Sequence, residues 1–323
     1  MKYGLLTYTY TSRDSYHSRH EVNIGDYVQS IAARQFHPHT DILVDRDSVS
    51  SYSGDPIKMI MNGWWHIYEG NEVTSDAIIP LYVSYHISNP DGITKKALEH
   101  LKKYAPIGCR DFATMNCLLD NGIKAYLSSC LTLTLGKTYY VPEEERTNSV
   151  YFVDCDIFDT QRPSKIEWCT SRKARQITRQ ANALPNLKQR MEELVENYAH
   201  GAIIEKRSHI YPLSLTDSER FQIAEKLLRD YSRARLVVTT RLHCALPVLS
   251  MGVPVLFVGT NLQDRRYAGT LDWVNKIGLD QKQKLVQHLF SQEHCLLSSS
   301  LSTKLARVYA DQLINQCQQF FYN

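Results

Sequence analysis

Leu236-Val-Val-Thr-Thr-Arg-Leu-His-Cys-Ala-Leu-Pro-Val-Leu-Ser-Met-Gly-Val-Pro-Val-Leu-Phe-Val-Gly259 reads as a buried apolar strand, a turn holding Arg241 and His243, a short helix ending at Gly252, and a second buried strand from Pro254. This is one βαβ unit with its polar residues at the strand-to-helix turn. In open α/β sheets, ligands settle beyond the carboxyl ends of the strands. A helix N-terminus placed there offers free N–H groups and a positive dipole end to an anion. An arginine and a histidine two residues apart at that point suggest an anionic ligand beside a proton-transfer group.

The same grammar extends outward in both directions. Lys2–Tyr8 reads as a first strand, Thr11–His20 as a polar segment, and Asn23–Phe36 as a helix. In that helix Tyr27, Val28, Ile31, Ala32 and Gln35 keep helical spacing and Asp26 stands as N-cap. Asp41–Val44, Ile57–Met61, Ile78–Tyr85 and Ala105–Gly108 are further apolar runs. Amphipathic helices are expected near Thr94–Lys103 and Phe112–Leu119, the second ended by Asn121-Gly122. Strands alternating with helices mean an α/β protein whose sheets are parallel with crossovers.

The charged, proline-bearing stretch Val141-Pro-Glu-Glu-Glu-Arg-Thr-Asn-Ser149 marks a domain boundary, and a second α/β series opens with Val150–Asp154. Polar helices fill Thr170–His200, Gly201–Lys206 is a strand, and Asp217 opens a helix to about Tyr231. The amphipathic stretch Leu301–Phe320 can cross back onto the first domain. The expected division is residues 1–145, 146–300 and a C-terminal helix in 301–323.

A chain of 323 residues exceeds the size at which single cores stop growing, so two domains are the default. Its 43% hydrophobic and 22% charged residues are those of a globular protein. A net charge of +3 with no dense Lys/Arg run argues against nucleic acid as a partner. The eight cysteines form no CxxC pair and no zinc-type spacing with histidines, and several sit in apolar runs as small hydrophobes. The polar start Met1–Tyr10 is unlike a signal peptide, and there is no apolar stretch of spanning length. A reduced, cytoplasmic protein is expected.

Each candidate residue has a structural explanation beside the functional one. Arg241 is either a solvated side chain or, at the strand's carboxyl end, a planar fork for phosphate or carboxylate. His243 either caps and packs or moves a proton. Arg110-Asp111 follows Ile107-Gly-Cys109 at another strand end, where Asp111 is a natural N-cap and Arg110 its ion-pair partner or a second cation for the same ligand. Asn23-Ile-Gly-Asp26 is a third such turn, where Gly25 allows close backbone approach to a ligand. Asn62-Gly63-Trp64-Trp65 fits a type I′ turn with packing indoles, and Ser128-Ser129-Cys130 fits a polar loop. Trp64, Trp65, Tyr82 and Tyr85 are either sugar-stacking rings or core, and aromatic residues in such runs are more often core. The GxxxxGK[ST], GxGxxG, HExxH and GxSxG patterns are absent, which removes the commonest nucleotide, zinc-protease and serine-hydrolase readings.

Taken together, Asn23-Ile-Gly-Asp-Tyr-Val-Gln29, Asn62-Gly-Trp64, Pro106-Ile-Gly-Cys-Arg-Asp111, Ser129-Cys-Leu-Thr-Leu-Thr-Leu135 and Thr239-Thr-Arg-Leu-His-Cys-Ala-Leu-Pro247 with Gly252-Val-Pro-Val255 resemble the polysaccharide pyruvyl transferase family. The resemblance implies a GT-B-like fold, two Rossmann-like domains with parallel sheets facing a central cleft. It also implies transfer of the pyruvyl group of phosphoenolpyruvate to a pair of sugar hydroxyls as a ketal. By motif, Arg110, Arg241, Leu242 and His243 would surround phosphoenolpyruvate, Leu242 through its backbone. Asn23, Gly25, Asp26, Gln29, Asn62, Gly63 and Ser129 would join the substrate site.

That reaction needs cations for the donor's phosphate and carboxylate and a proton for its methylene carbon. It also needs a base for the attacking hydroxyl. His243, with a pKa near neutrality, is the expected acid/base and Arg241 its catalytic companion. The scheme calls for no metal and no cofactor. The partner is a saccharide acceptor, free or lipid-linked, and membrane association would run through the acceptor only. The alternative is a GT-B-type glycosyltransferase using a nucleotide-activated sugar, with the same arginines on its diphosphate.

Overall fold

A computed structural model of the chain describes residues 1–10, 16–71, 73–155, 187–259, 262–278 and 300–322. The first strands are β1 (Lys2–Thr7), β2 (Glu21–Asn23), β3 (Ile42–Asp45), β4 (Ile57–Ile60), β5 (Gly63–Trp65), β6 (Ile78–Leu81) and β7 (Tyr85–Ile87). They are followed by β8 (Ile107–Cys109), β9 (Ala125–Leu127), β10 (Ser149–Val153), β11 (Ile203–Arg207), β12 (Ile210–Pro212), β13 (Leu236–Thr239), β14 (Val255–Gly259) and β15 (Asn275–Gly278). They form two four-stranded sheets, β3-β1-β4-β6 and β5-β7-β8-β9, a five-stranded sheet β11-β10-β13-β14-β15, and the pair β12-β2. Among the described residues, all three larger sheets are parallel and only β12 with β2 is antiparallel. The α/β expectation with parallel sheets therefore holds. Strands β13 and β14 are buried along their whole length, which is why they read as unbroken apolar runs.

The Ile78–Tyr85 run is not one strand. Ser84 adopts a left-handed backbone (φ 53°), and its N–H donates to Ser128 Oγ at 2.9 Å. The chain leaves the first sheet after β6 and enters the second at β7. One strand over, Asn62-Gly63 makes the same step between β4 and β5. Gly63 has φ +101°, which a side chain would resist, so the break falls there instead of forming a hairpin turn.

The early helix spans Ile24–Arg34, and its N-cap is Asn23, not Asp26. Asn23 Oδ1 accepts from the Gly25 amide at 3.1 Å. Asp26 is occupied by Tyr10 OH (2.7 Å) and Gln29 Nε2 (3.1 Å) instead. Thr94 and Asp111 cap the helices Lys95–Lys103 and Phe112–Asp120, and Thr216 closes a capping box with Glu219 on Asp217–Ser232. In the Thr170–His200 stretch, Leu187–Tyr198 is a helix, and residues 156–186 lie outside those described.

Around Val141–Ser149, Arg146 donates to the carbonyls of Val141, Met251 and Gly252. The last helix, Ser300–Tyr322, sets Phe321 against Tyr3 and His37, and its Phe320 carbonyl accepts from Lys58 Nζ at 2.6 Å. Among the described residues, no helix is long and apolar enough to cross a membrane.

Candidate active site

The carboxyl ends of several strands converge on one cavity of about 600 Å³. That volume lies in the ordinary range for small-molecule sites. Of the residues singled out in the sequence, Asn23, Gly25, Asp26, Arg110, Arg241, Leu242 and His243 line it. Gln29, Asn62, Gly63 and Ser129 do not line it. Asn62 Nδ2 donates to the Gln29 carbonyl at 3.0 Å, and Ser129 Oγ donates to the Gly269 carbonyl at 3.1 Å.

Arg241 stands at the end of β13, its amide donating to Thr239 Oγ1 at 3.0 Å. Its guanidinium gives Nε–H to Asp154 Oδ2 at 2.7 Å and reaches Tyr16 OH at 3.4 Å. Burial alone would lower the Arg241 pKa, but Asp154 and Tyr16 outweigh it and raise it. Asp154 ends the neighbouring strand β10 in a left-handed conformation (φ 52°) and accepts also from Ser208 Oγ (2.6 Å) and the His209 amide (3.0 Å). Burial pushes its carboxyl up, yet Arg241 and these hydrogen bonds hold it below the usual carboxylate range.

The helix Leu242–Ser250 begins directly after Arg241, and no side chain caps it. Its first residues, Leu242 and His243, line the cavity, so the positive end of the helix dipole opens on it. His243 Nε2 is buried with no hydrogen-bond partner among the described residues. Burial first, then the charge of Arg110, with His209 and Arg266 nearby adding to it, hold its pKa well below 6.5. His243 is therefore neutral at physiological pH, a proton acceptor in the free protein, which corrects the expectation of a pKa near neutrality.

The glycine at position 25 sits in close quarters, where a Cβ would lie 3.0 Å from Asn23 Oδ1 and its neighbours would have to give by a few tenths of an ångström. A Cβ there would lie 3.3 Å from His243 Cβ and 3.4 Å from His209 Nδ1, at the point where the Ile24–Arg34 helix meets both histidines. His209 is fully buried, and its Nε2 pairs with Tyr231 OH at 3.2 Å. Its Nδ1 is left without a partner among the described residues. Burial lowers its pKa to about 4.

Arg110 follows β8 and is 2% exposed. Its nearest carboxylate, Asp111, is 3.9 Å away, and its Nε has no partner among the described residues. Asp111 is committed elsewhere, to the imidazole of His86 and to the amide and hydroxyl of Thr114. Burial lowers the Arg110 pKa, although guanidinium stays protonated. Arg46 and Arg266 also line the cavity, so the described lining holds four arginines and two aspartates, Asp26 and Asp47.

Sequence reading missed Asp154, His209, Arg46 and Arg266. Asp154 and Arg46 directly follow strands β10 and β3, and His209 comes two residues after β11. The rule that found Arg241 would have found these three, had it been applied to every strand end. Of the aromatic candidates, Trp65, Tyr82 and Tyr85 are core, whereas Trp64 lines the cavity.

Parallel sheets, strand ends that deliver arginines and an uncapped helix N-terminus thus bring four cationic side chains and two histidines, His209 and His243, of an α/β protein to one cavity. The chain belongs to the polysaccharide pyruvyl transferase family, whose model matches residues 23–261, most of its length. It is thus an enzyme of a family that serves polysaccharide biosynthesis. No curated protein matches the chain significantly.

Proposed function

We propose that this enzyme takes the pyruvyl group from phosphoenolpyruvate and closes it as a ketal across two hydroxyls of a saccharide. The observation that carries the reading is the meeting, in one cavity, of Arg110 and Arg241 with a neutral His243 whose Nε2 has no protein partner among the described residues. The arginines and the helix N-terminus at Leu242 take the donor's phosphate and carboxylate.

His243 accepts the proton of the attacking hydroxyl as its oxygen bonds to C2, and passes a proton to the methylene carbon, which becomes the methyl group. The C2–O bond to phosphate then breaks, the second hydroxyl adds to C2, and its proton leaves with the phosphate. The two hydroxyl protons thus end on the methyl carbon and on phosphate, so no external acid or base is consumed. A trianionic donor beside His243 offsets the Arg110 and Arg266 charges, which raises the imidazole pKa and lets it carry the proton between atoms.

The division at 1–145 and 146–300 is part of the same reading, an acceptor half and a donor half of a GT-B-like enzyme with the 301–323 helix returning to the first. Its support is that residues of both stretches line the cavity. A cytoplasmic setting fits the six described cysteines, all free thiols. The nucleotide-sugar alternative finds no support in the family match.

The test is turnover in D₂O with phosphoenolpyruvate and saccharide. The product methyl group should carry one deuterium per ketal formed, read by mass spectrometry. A glycoside product without pyruvate would overturn the reading.

A further inference from the structure

Directly after Gly63 the chain alternates Trp64-Trp65-His66-Ile67-Tyr68. Trp65 and Ile67 are each 5% exposed and belong to the core. Trp64, His66 and Tyr68 all line the cavity. This is the period of two of an extended chain, with one face inward and the other presented to the cavity. The Trp64 and His66 rings are stacked at 6.0 Å and 16°, and His66 and Tyr68 follow at 6.5 Å and 35°. Three rings thus stand in a row at nearly even steps.

The row is held rigid although β5 ends at Trp65. The Asn89 carboxamide takes both backbone groups of Ile67, accepting from its amide at 3.0 Å and donating to its carbonyl at 2.8 Å, as a neighbouring strand would. Asn71 Oδ1 accepts from the Tyr68 amide and its Nδ2 donates to the His66 carbonyl. His66 Nδ1 is fixed against Ser88 Oγ at 3.0 Å. At the Trp64 end, the Arg46 guanidinium lies 5.3 Å from the indole centroid and is 3.2 Å from Asp47. Holding three rings at a cavity wall leaves apolar surface exposed to water that a core position would have buried, a cost that a bound ligand recovers.

We propose that the Trp64–His66–Tyr68 row is the saccharide-binding wall of this cavity, along which an oligosaccharide packs its C–H groups, with Arg46 and Asp47 meeting hydroxyls at the Trp64 end. The identity of the bound class rests on the pyruvyl-transfer reading. The geometry favours a chain of repeating ring units because three rings stand in a row, where one nucleobase would use a single platform. The wall separates the roles of the cavity, rings for the neutral acceptor and Arg110, Arg241 and His243 for the anion.

The experiment compares the full-length protein with Trp64→Ala, Tyr68→Ala and Trp64→Phe on a printed array of mono- to hexasaccharides, with UDP-galactose as a nucleotide-sugar probe and phosphoenolpyruvate titrated by calorimetry. Oligosaccharides should bind more tightly than their monosaccharides. Each alanine variant should lose about tenfold or more in affinity, as expected for removing one ring contact. Trp64→Phe should retain most of it, and phosphoenolpyruvate affinity should stay within about twofold, which also certifies that the variants are folded.

Unchanged saccharide binding in both alanine variants, no saccharide binding at all, or ring-dependent binding of UDP-galactose alone would each overturn the proposal. Ring-dependent oligosaccharide binding without any phosphoenolpyruvate binding would leave the wall standing and overturn the donor reading instead.

Discussion

Arg110 and Arg241 occupy the same kind of turn, directly after a parallel strand and before a helix, yet their surroundings differ in sign. The Arg241 side chain is 28% exposed and paired at 2.7 Å with Asp154, which raises its pKa. Arg110 has a 3% exposed side chain, a carboxylate no nearer than 3.9 Å among the described residues, and a pKa lowered by burial. A buried cation with little compensation is costly to the fold and has its attraction free for an incoming anion. A neutralised one mostly fixes geometry. Identical local grammar therefore yields a buried cation with little compensation in one place and a paired, positioned fork in the other.

The largest effect should come from the group both arginines serve. His243→Asn should leave donor affinity nearly unchanged and lower kcat by roughly 10²–10⁴-fold, the range for losing a general acid–base group. In the parent enzyme the acid limb of kcat/KM should lie below pH 6.5, because burial and Arg110 hold the imidazole down. Removing the Arg110 charge should move that limb up toward 6.5. Near-normal turnover of His243→Asn would remove the histidine from the chemistry.

The arginine comparison itself is sharpened by two matched variants. Arg110→Met should weaken donor binding by about 10–100-fold, the loss of one charged hydrogen-bond partner at roughly 1.5–3 kcal/mol, with Tm unchanged or raised. Arg241→Met should weaken donor binding less and lower Tm, because it leaves Asp154 buried without its cation. The stability cost should be some part of the ~3–5 kcal/mol known for breaking fully buried pairs. Calorimetry and thermal unfolding on both variants read the contrast, and a Tm loss confined to Arg110→Met would invert it.

A separate effect, read on the whole fold and not on the site, is on stability against pH. His37, His86, His100 and His209 are buried, and burial holds each pKa at about 4. Above pH 6.5 these groups are neutral both folded and unfolded. Between 6.5 and 4 the unfolded chain binds more protons, so stability falls as pH falls through that window. The urea midpoint should be lower at pH 5 than at pH 7, and equal midpoints would show that the four imidazoles are not held neutral by the fold.

Most of the elements were legible because their periodicity and caps are local. The apolar runs at β13 and β14, the Thr94 and Asp111 caps and the Phe112–Asp120 helix all follow from residues within one turn of each other. The split of Ile78–Tyr85 was not, since the bend at Ser84 is held by Ser128, forty-four positions away. Asp26 failed as an N-cap because Tyr10, from another segment, claims its carboxylate.

At the site, the sequence by itself determined which residue types stand at strand ends, namely Arg110, Arg241 and His243, because strand periodicity and turn composition are read along the chain. It also contained the Trp64–Tyr68 alternation. Only the tertiary structure decided that Asp154 neutralises Arg241 while Arg110 Nε has no partner among the described residues, and that burial holds the His243 pKa down. It likewise decided that three rings share the cavity with them. The physical reason is that charge compensation and desolvation depend on distances between segments far apart in sequence, and those distances are set by packing, which no local pattern encodes.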